Sequence, residues 1–358
     1  MTTKIITVES PPNKAFINHW GKDPKTNRPD SPSLSATLEM KTLDGIPLRT
    51  KTSVVFSSDL AGDALYIDGK MVDLSTKESL ERFRPVEALR EMAGTKMPVL
   101  VVSKNDAPTA SGVATSASGV SALTIASAKA LGLDLPITEL SKLARTGSGS
   151  ASRSFYGGFV LWNRGEKEDG SDSFARQVFP PEHWRGLVDV IAVVPTPAGR
   201  KKIPSTDGMM MSRETSPFYS ARLDYIPGAL KGMMADIAAR DFGSLAEKLM
   251  RESDNLHEVM RTTVPSIEYM TEQSRRIING VVQFNKAAGR NRAAYTVGAG
   301  AIVHIITEQS SLADVHAVLD GVGGIDRRFS VGIGGSGPRV LDDSDSLIDP
   351  TTLQPRIA

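Results

Sequence analysis

A run of small residues, Pro108-Thr109-Ala110-Ser111-Gly112-Val113-Ala114-Thr115-Ser116-Ala117-Ser118-Gly119, lies between an apolar stretch at 99–102 and an Ala-, Ser- and Leu-rich stretch at 120–131. The first stretch reads as a buried strand and the second as a helix. A strand that passes through glycine and serine into a helix constrains this chain more than any other feature. Small side chains let backbone N–H groups close on an anion, and the helix brings its positive end to the same spot, so the junction can cradle a phosphate. The composition equally suits a tight turn before a close-packed helix. No Gly-Lys-Ser/Thr follows, which excludes a Walker A loop.

Around this junction the chain alternates between short strands and helices. A strand predicted at 3–8 stops at Pro11-Pro12, and the polar stretch 13–33 reads as a surface loop of the kind that carries sites. Strands are expected at 34–40, 52–57 and 64–67. Leu80, Phe83, Val86, Leu89 and Met92 recur at helical spacing, with Pro85 as a start or kink. A helix at 137–145 is expected to be capped by Thr138, a hairpin to span 162–179, and a strand to cover 188–194. The composition breaks between Pro195 and Pro204, which divides the chain into domains 1–195 and 196–358. Helical patterns then dominate at 216–225, 229–240, 243–260 and 267–288, with strands at 294–297, 302–307 and 329–332. The 358 residues thus read as a two-domain α+β protein.

Composition narrows the chemistry. The chain has no cysteine, so disulfides, thiolate metal sites and a cysteine nucleophile are excluded. Its five histidines show no metal-ligand spacing, and no metal is expected. With 42 Lys+Arg against 41 Asp+Glu, the net charge of +1 offers no long-range field for nucleic acid or an anionic membrane. No apolar run approaches the ~20 residues of a membrane span, and the N-terminus lacks a signal-peptide pattern, so a cytoplasmic protein is expected.

Three further clusters stand out. Gly147-Ser148-Gly149-Ser150-Ala151-Ser152-Arg153 ends in the side chain best shaped to hold a carboxylate or phosphate by two parallel hydrogen bonds. Lys201-Lys202 precedes Ser205, Asp207 and Arg213, which alone suggests a solvated basic loop. Gly332-Ile333-Gly334-Gly335-Ser336-Gly337 matches GxGxxG in form, but Pro338 follows and too little chain remains for a dinucleotide-binding unit, so a turn or a substrate-side loop is expected. His257 is expected at the surface or half-buried.

Together these motifs resemble the GHMP kinase superfamily, and within it the mevalonate diphosphate decarboxylases. The resemblance rests on His19-Trp20-Gly21-Lys22, on Ser33-Leu34-Ser35-Ala36-Thr37-Leu38, on the loop 111–119, and most specifically on Gly147-Ser148-Gly149-Ser150-Ala151-Ser152-Arg153-Ser154-Phe155-Tyr156-Gly157-Gly158. It implies a two-domain GHMP fold with the site in the interdomain cleft, and a homodimer. It further implies that Lys22 and Arg213 hold the phosphate on C5 of a phosphorylated mevalonate, while catalytic Arg153, Ser148 and Ser150 hold its carboxylate and C3 end. His19, Ser111, Gly112, Thr115, Ser116, Gly149, Lys201, Lys202, Ser205 and Gly298 complete the expected substrate-binding set.

The chain departs from the family at two charges. The family aspartate beside the C3 hydroxyl is replaced by Gly298, and the lysine before the Tyr-Trp-Gly-Lys motif by Asn18, with His19 in place of the tyrosine. Those charges serve phosphorylation of the C3 hydroxyl, so their absence points to a substrate that already carries phosphate on C3. The expectation is therefore an archaeal-type mevalonate 3,5-bisphosphate decarboxylase giving isopentenyl phosphate, CO2 and phosphate, with no ATP or other cofactor. Lys22, Arg153, Lys201, Lys202 and Arg213 would balance the roughly −4 to −5 charge of such a substrate. Alternatives are an ATP- and Mg-dependent (di)phosphomevalonate decarboxylase or mevalonate-type kinase with Asp207 as base, and a catalytically dead binding protein.

Overall fold

The protein is described by a computed structural model that covers residues 4–106, 115–195 and 203–356, with Thr115 described by its backbone. Elements are numbered in chain order. One sheet has six strands in the order Arg339–Val340 (β14), Ile6–Ser10 (β1), Arg49–Phe56 (β4), Val99–Asp106 (β7), Ala64–Ile67 (β5) and Lys70–Met71 (β6). Side chains alternate across it. Val54, Phe56, Val99 and Val101 face helices Lys77–Ala93 (α1), Thr115–Ala130 (α2) and Ile137–Gly147 (α3), whose Phe83, Val86, Val120, Leu123 and Ala144 complete that core. Val55, Leu100 and Val102 face the other way and are covered by Ile348 and the C-terminal segment.

A second sheet of eight strands runs Ala293–Thr296 (β11), Val303–Glu308 (β12), Leu187–Val193 (β10), Arg327–Ile333 (β13), Ser33–Thr42 (β3), Phe159–Trp162 (β8) and Ala175–Phe179 (β9), with Asn13–Ile17 (β2) paired to β3. Ile191, Ala294, Ile306 and Val331 face helices Tyr219–Ala239 (α5) and Phe242–Thr262 (α6). Val190, Val303 and Ile305 face Glu272–Ala288 (α7) and Leu312–Val322 (α8). The α+β architecture is thus as expected. A division at 195/196 leaves strands of both parts in the larger sheet, because β3 pairs with both β8 and β13. No helix among the described residues is long and apolar enough to cross a membrane.

Several elements differ from the sequence reading. Residues 13–17 are a buried strand, since pairing with β3 satisfies their backbone and Pro11-Pro12 only ends β1. Ser205–Thr215 forms a helix (α4) in what read as a basic loop, packing Met209 beside Trp20. The two helices expected between 216 and 240 are one, with Pro227 inside it, and α8 carried no recognised pattern. Pro136, not Thr138, precedes α3, and no side chain caps it.

Candidate active site

The site grows from the ends of β2 and from a single break in a helix. Helix α3 stops at Ser148, whose extended backbone (φ −158°, ψ 120°) turns the chain into the 3-10 turn Gly149–Arg153. Gly149 is required there because a Cβ would lie 3.0 Å from the Trp162 ring and 3.3 Å from His19 Nε2. Ser152 Oγ donates to the Gly149 carbonyl (2.6 Å) and Ser141 Oγ to the Ser152 carbonyl (2.9 Å), which fixes the turn. Ser148 and Ser150 emerge half-buried with their hydroxyls 3.2 Å apart.

Arg153 ends the turn and is only 3% exposed. Its Nη1 donates to Ser33 Oγ at 2.8 Å, and its Nη2 and Nε donate to Asn13 Oδ1 at 3.2 and 3.4 Å. Its guanidinium carbon also lies 5.8 Å from the Trp162 ring centre. A guanidinium has five N–H donors, so these three bonds leave two, one on each terminal nitrogen. Burial lowers the Arg153 pKa to about 10, which leaves it cationic at neutral pH. His19 meets the Trp162 ring edge to face, 5.1 Å between centres. Burial, with Arg153 and Lys22 nearby, holds the imidazole well below its usual pKa, so it is neutral.

The segment after His19 carries a second cationic corner. Trp20 Nε1 donates to Ser212 Oγ of α4 (2.9 Å), which docks α4 against this segment. Lys22 is 7% exposed, and burial lowers its pKa. Arg213 of α4 reaches the Lys22 carbonyl (3.4 Å) and lies 3.7 Å from Asp30, while the Tyr219 hydroxyl donates to Asp30 Oδ2. Gly21 makes this corner possible. Its φ is +124°, and a Cβ would fall 1.7 Å from Tyr219 Oη. Gly21→Ala is therefore expected to cost about 2 kcal/mol or more through backbone strain and overlap. Denaturant titration checks it, and an unchanged midpoint would show that the corner relaxes freely.

Positions 18 and 298 face one another. A Cβ placed at Gly298 would have one neighbour within 4 Å, Asn18 Oδ1 at 3.8 Å. Asn18 is itself held by α6, its backbone N–H and side-chain amide donating to the two oxygens of Glu252 (3.1 and 3.2 Å). Arg222 of α5 donates to Glu252 (2.6 Å) and to the Asn18 carbonyl (2.9 Å), and both charged side chains are buried, at 1% and 0% exposure. His257 Nε2 bonds the Val297 carbonyl at 3.2 Å. His257 is buried, not half-exposed as expected, and burial lowers its pKa to about 4, because α6 packs directly on β11.

The structure therefore brings His19, Gly149 and Arg153 together around Trp162, places Ser148 and Ser150 at the same turn, and joins Lys22 to Arg213. Ser205 is half-buried at the start of α4 and Ser116 exposed in the first turn of α2. Asp207 is exposed on α4 and acts electrostatically on Lys22 and Tyr269. Ser111, Gly112, Lys201 and Lys202, and the side chain of Thr115, lie outside the described residues. The GxGxxG match is a turn, as expected, with Gly335 donating to the Thr37 carbonyl. Sequence reasoning missed Asn13, Ser33, Trp162, Glu252 and Arg222. Asn13 and Ser33 flank or fall within a stretch read as loop, and buried charges such as Glu252 and Arg222 on helices resemble solvated ones until packing is known.

The two-domain α+β fold is of the GHMP kinase type. Two family definitions match the chain: a diphosphomevalonate decarboxylase-like N-terminal domain over residues 10–175 and a mevalonate 5-diphosphate decarboxylase C-terminal domain over 190–329. The chain belongs to the diphosphomevalonate decarboxylase family, whose members are carboxy-lyases of the mevalonate pathway. Relatives named diphosphomevalonate decarboxylase include those of Gibberella zeae (39% identical, covering 90% of this chain and 87% of the relative) and Homo sapiens (37%; 88% and 79%). The mevalonate diphosphate decarboxylase structure from Trypanosoma brucei superposes with a TM-score of 0.86 (34% identity; 97% and 100% covered). That from Staphylococcus aureus gives 0.85 (30%; 95% and 98%).

Proposed function

We propose that the protein decarboxylates a C5-phosphorylated mevalonate, mevalonate 5-diphosphate in the first place, with ATP phosphorylating the C3 oxygen. The observation that carries this is the buried Arg153 guanidinium, held by Ser33 and Asn13 at the end of the turn that carries Ser148 and Ser150, in a chain similar over nearly its whole length to decarboxylases of that substrate. A neighbouring solved structure from Enterococcus faecalis is described by mevalonate-diphosphate-mediated ATP binding (29% identity, TM-score 0.83). Lys22 and Arg213 would hold the C5 phosphates, and the N-terminus of α2, which follows the glycine- and serine-rich stretch 108–114, would offer its positive end to nucleotide phosphates. Loss of a C3 phosphate leaves positive charge on C3. The C1–C2 bond then breaks, CO2 leaves, and its electron pair forms the double bond. Arg153 orients the carboxylate for this step, and no base is needed in it. By family resemblance the enzyme is a cytoplasmic homodimer.

The Asn18–Gly298 pair favours a second reading. Neither position offers a charge to deprotonate the C3 hydroxyl or steady a transferring phosphoryl, roles worth about 10²-fold or more each. A substrate already phosphorylated on C3, mevalonate 3,5-bisphosphate, requires neither group. The relatives named above are diphosphomevalonate decarboxylases, and the ATP-free route stands second for that reason. One assay separates the two. CO2 release from mevalonate 5-diphosphate only with Mg-ATP supports the first reading, and release from the 3,5-bisphosphate in ATP-free buffer supports the second. Release from neither would refute the proposed activity.

A further inference from the structure

The cationic corner assigned to the C5 phosphates also contains a carboxylate that neither reading uses. The segment 21–30 doubles back on itself, with the Asp30 N–H donating to the Gly21 carbonyl (3.1 Å) and Lys22 bridging to Pro29. Asp30 thereby stands beside both cations of the corner. Its side chain is 16% exposed, with Oδ2 3.7 Å from Arg213 Nη1, and the Tyr219 hydroxyl of α5 donates to the same oxygen at 2.5 Å. Burial and the Asp30 carboxylate push the Tyr219 pKa up, so the phenol stays a neutral donor. The two cations are therefore unlike. Arg213 already faces a carboxylate, whereas the buried Lys22 ammonium has no hydrogen-bond or ion-pair partner among the described residues.

We propose, resting on the reading that this corner holds a C5-phosphorylated mevalonate, that Asp30 is a specificity-determining residue: it matches the corner's charge to a single phosphate, so that mevalonate 5-phosphate binds as well as mevalonate 5-diphosphate. The charge count leads there. Lys22 and Arg213 bring two positive charges, and Asp30 offsets one of them. Further out, Glu81 of α1 and Asp207 of α4 act on Lys22 in the opposite sense to Arg84 and Lys77 of α1, two charges of each sign. A phosphate monoester carries about −1.5 to −2 charges at neutral pH. A second phosphate adds negative charge that Asp30 repels. Ionised phosphate oxygens only accept hydrogen bonds, as does a carboxylate, so no hydrogen bond can bridge the two. The Tyr219 hydroxyl, which could have served the second phosphate, is already donated to Asp30.

The test is calorimetric titration of the full chain with mevalonate 5-phosphate and with mevalonate 5-diphosphate, in wild type and in Asp30→Asn. The two wild-type dissociation constants are expected to agree within about fivefold. Asp30→Asn keeps an acceptor for Tyr219 but removes the charge, and it should tighten the diphosphate about 10-fold more than the monophosphate. Higher ionic strength should shrink that gain, since it is Coulombic. An Asp30 that served only to hold the segment 21–30 in place would shift both ligands alike and leave their ratio unmoved. A wider wild-type preference for the diphosphate overturns this inference alone, and so does an unchanged ratio in Asp30→Asn while both ligands bind. The wild-type ratio decides by itself if the variant does not fold. Failure of both ligands to bind the wild type overturns the functional reading, and this inference with it.

Discussion

Replacing Arg153 by Met is expected to lower kcat/KM for CO2 release by about 10³-fold, with little change in thermal stability. The lost fork accounts for this magnitude. Two charge-assisted hydrogen bonds to a carboxylate contribute about 1.5–3 kcal/mol each, and about 4 kcal/mol in total corresponds to 10³. The carboxylate loses its charge as CO2 departs, so Arg153 binds the ground state at least as tightly as the transition state. Its contribution is therefore alignment of the breaking C1–C2 bond, and the loss should fall on substrate affinity as well as on turnover. Stability changes little because two effects oppose. Met removes a buried charge, but it leaves Asn13 Oδ1 without the donors it now has. Arg153→Lys should rescue little, since a single ammonium cannot reproduce bonds to Ser33, Asn13 and a carboxylate at once. Steady-state CO2 release with both variants measures it, and a loss under tenfold would remove Arg153 from its assigned role.

The second large effect concerns stability. Glu252→Ala strands Arg222, which is 1% exposed, without its carboxylate, and also frees both donors of Asn18. Breaking a buried pair on one side typically costs about 3–5 kcal/mol. A loss of this size is expected in denaturant titration, together with release of Asn18 from its position opposite Gly298. The double variant Glu252→Leu with Arg222→Met should recover most of the stability, since it leaves no buried charge unpaired. It should not recover activity, because Asn18 still loses its anchor. If the single variant unfolded within about 1 kcal/mol of wild type, water would have to reach Arg222 in the native state.

Part of the candidate site is legible in the chain itself. The block ending in Arg153 stands out by residue type and spacing, whereas the segment His19-Trp20-Gly21-Lys22 and a role for Arg213 come only from the family resemblance, and the fold brings the block and His19 together around Trp162. The absent charges at 18 and 298 are visible in the chain only against the pattern of the family it resembles. Other parts were hidden for specific reasons. Asn13–Ile17 read as loop because its prolines and polar residues obscure an alternation that only pairing with β3 makes meaningful. Helix α4 read as a basic loop because its start is polar and its buried Met209 and Ser212 find their partners in Trp20 and Thr263, far away in sequence. The ATP-free route was the leading expectation from the two absent charges, whereas the relatives give more support to the ATP-dependent one.

The sequence by itself determined the element alternation, the α+β class and the residue types available for chemistry, because those follow from local periodicity and from which side chains exist at all. Tertiary structure decided which charges are buried together. Asp189, Glu252, Arg222 and His304 come from four separate elements, and nothing in their local sequence sets them apart from solvated residues. Their energetics depend on desolvation, which is a property of what surrounds a group in space. The same holds for Asn18 and Gly298: each departure is readable alone, but only the packing of both β2 and β11 on α6 places one opposite the other.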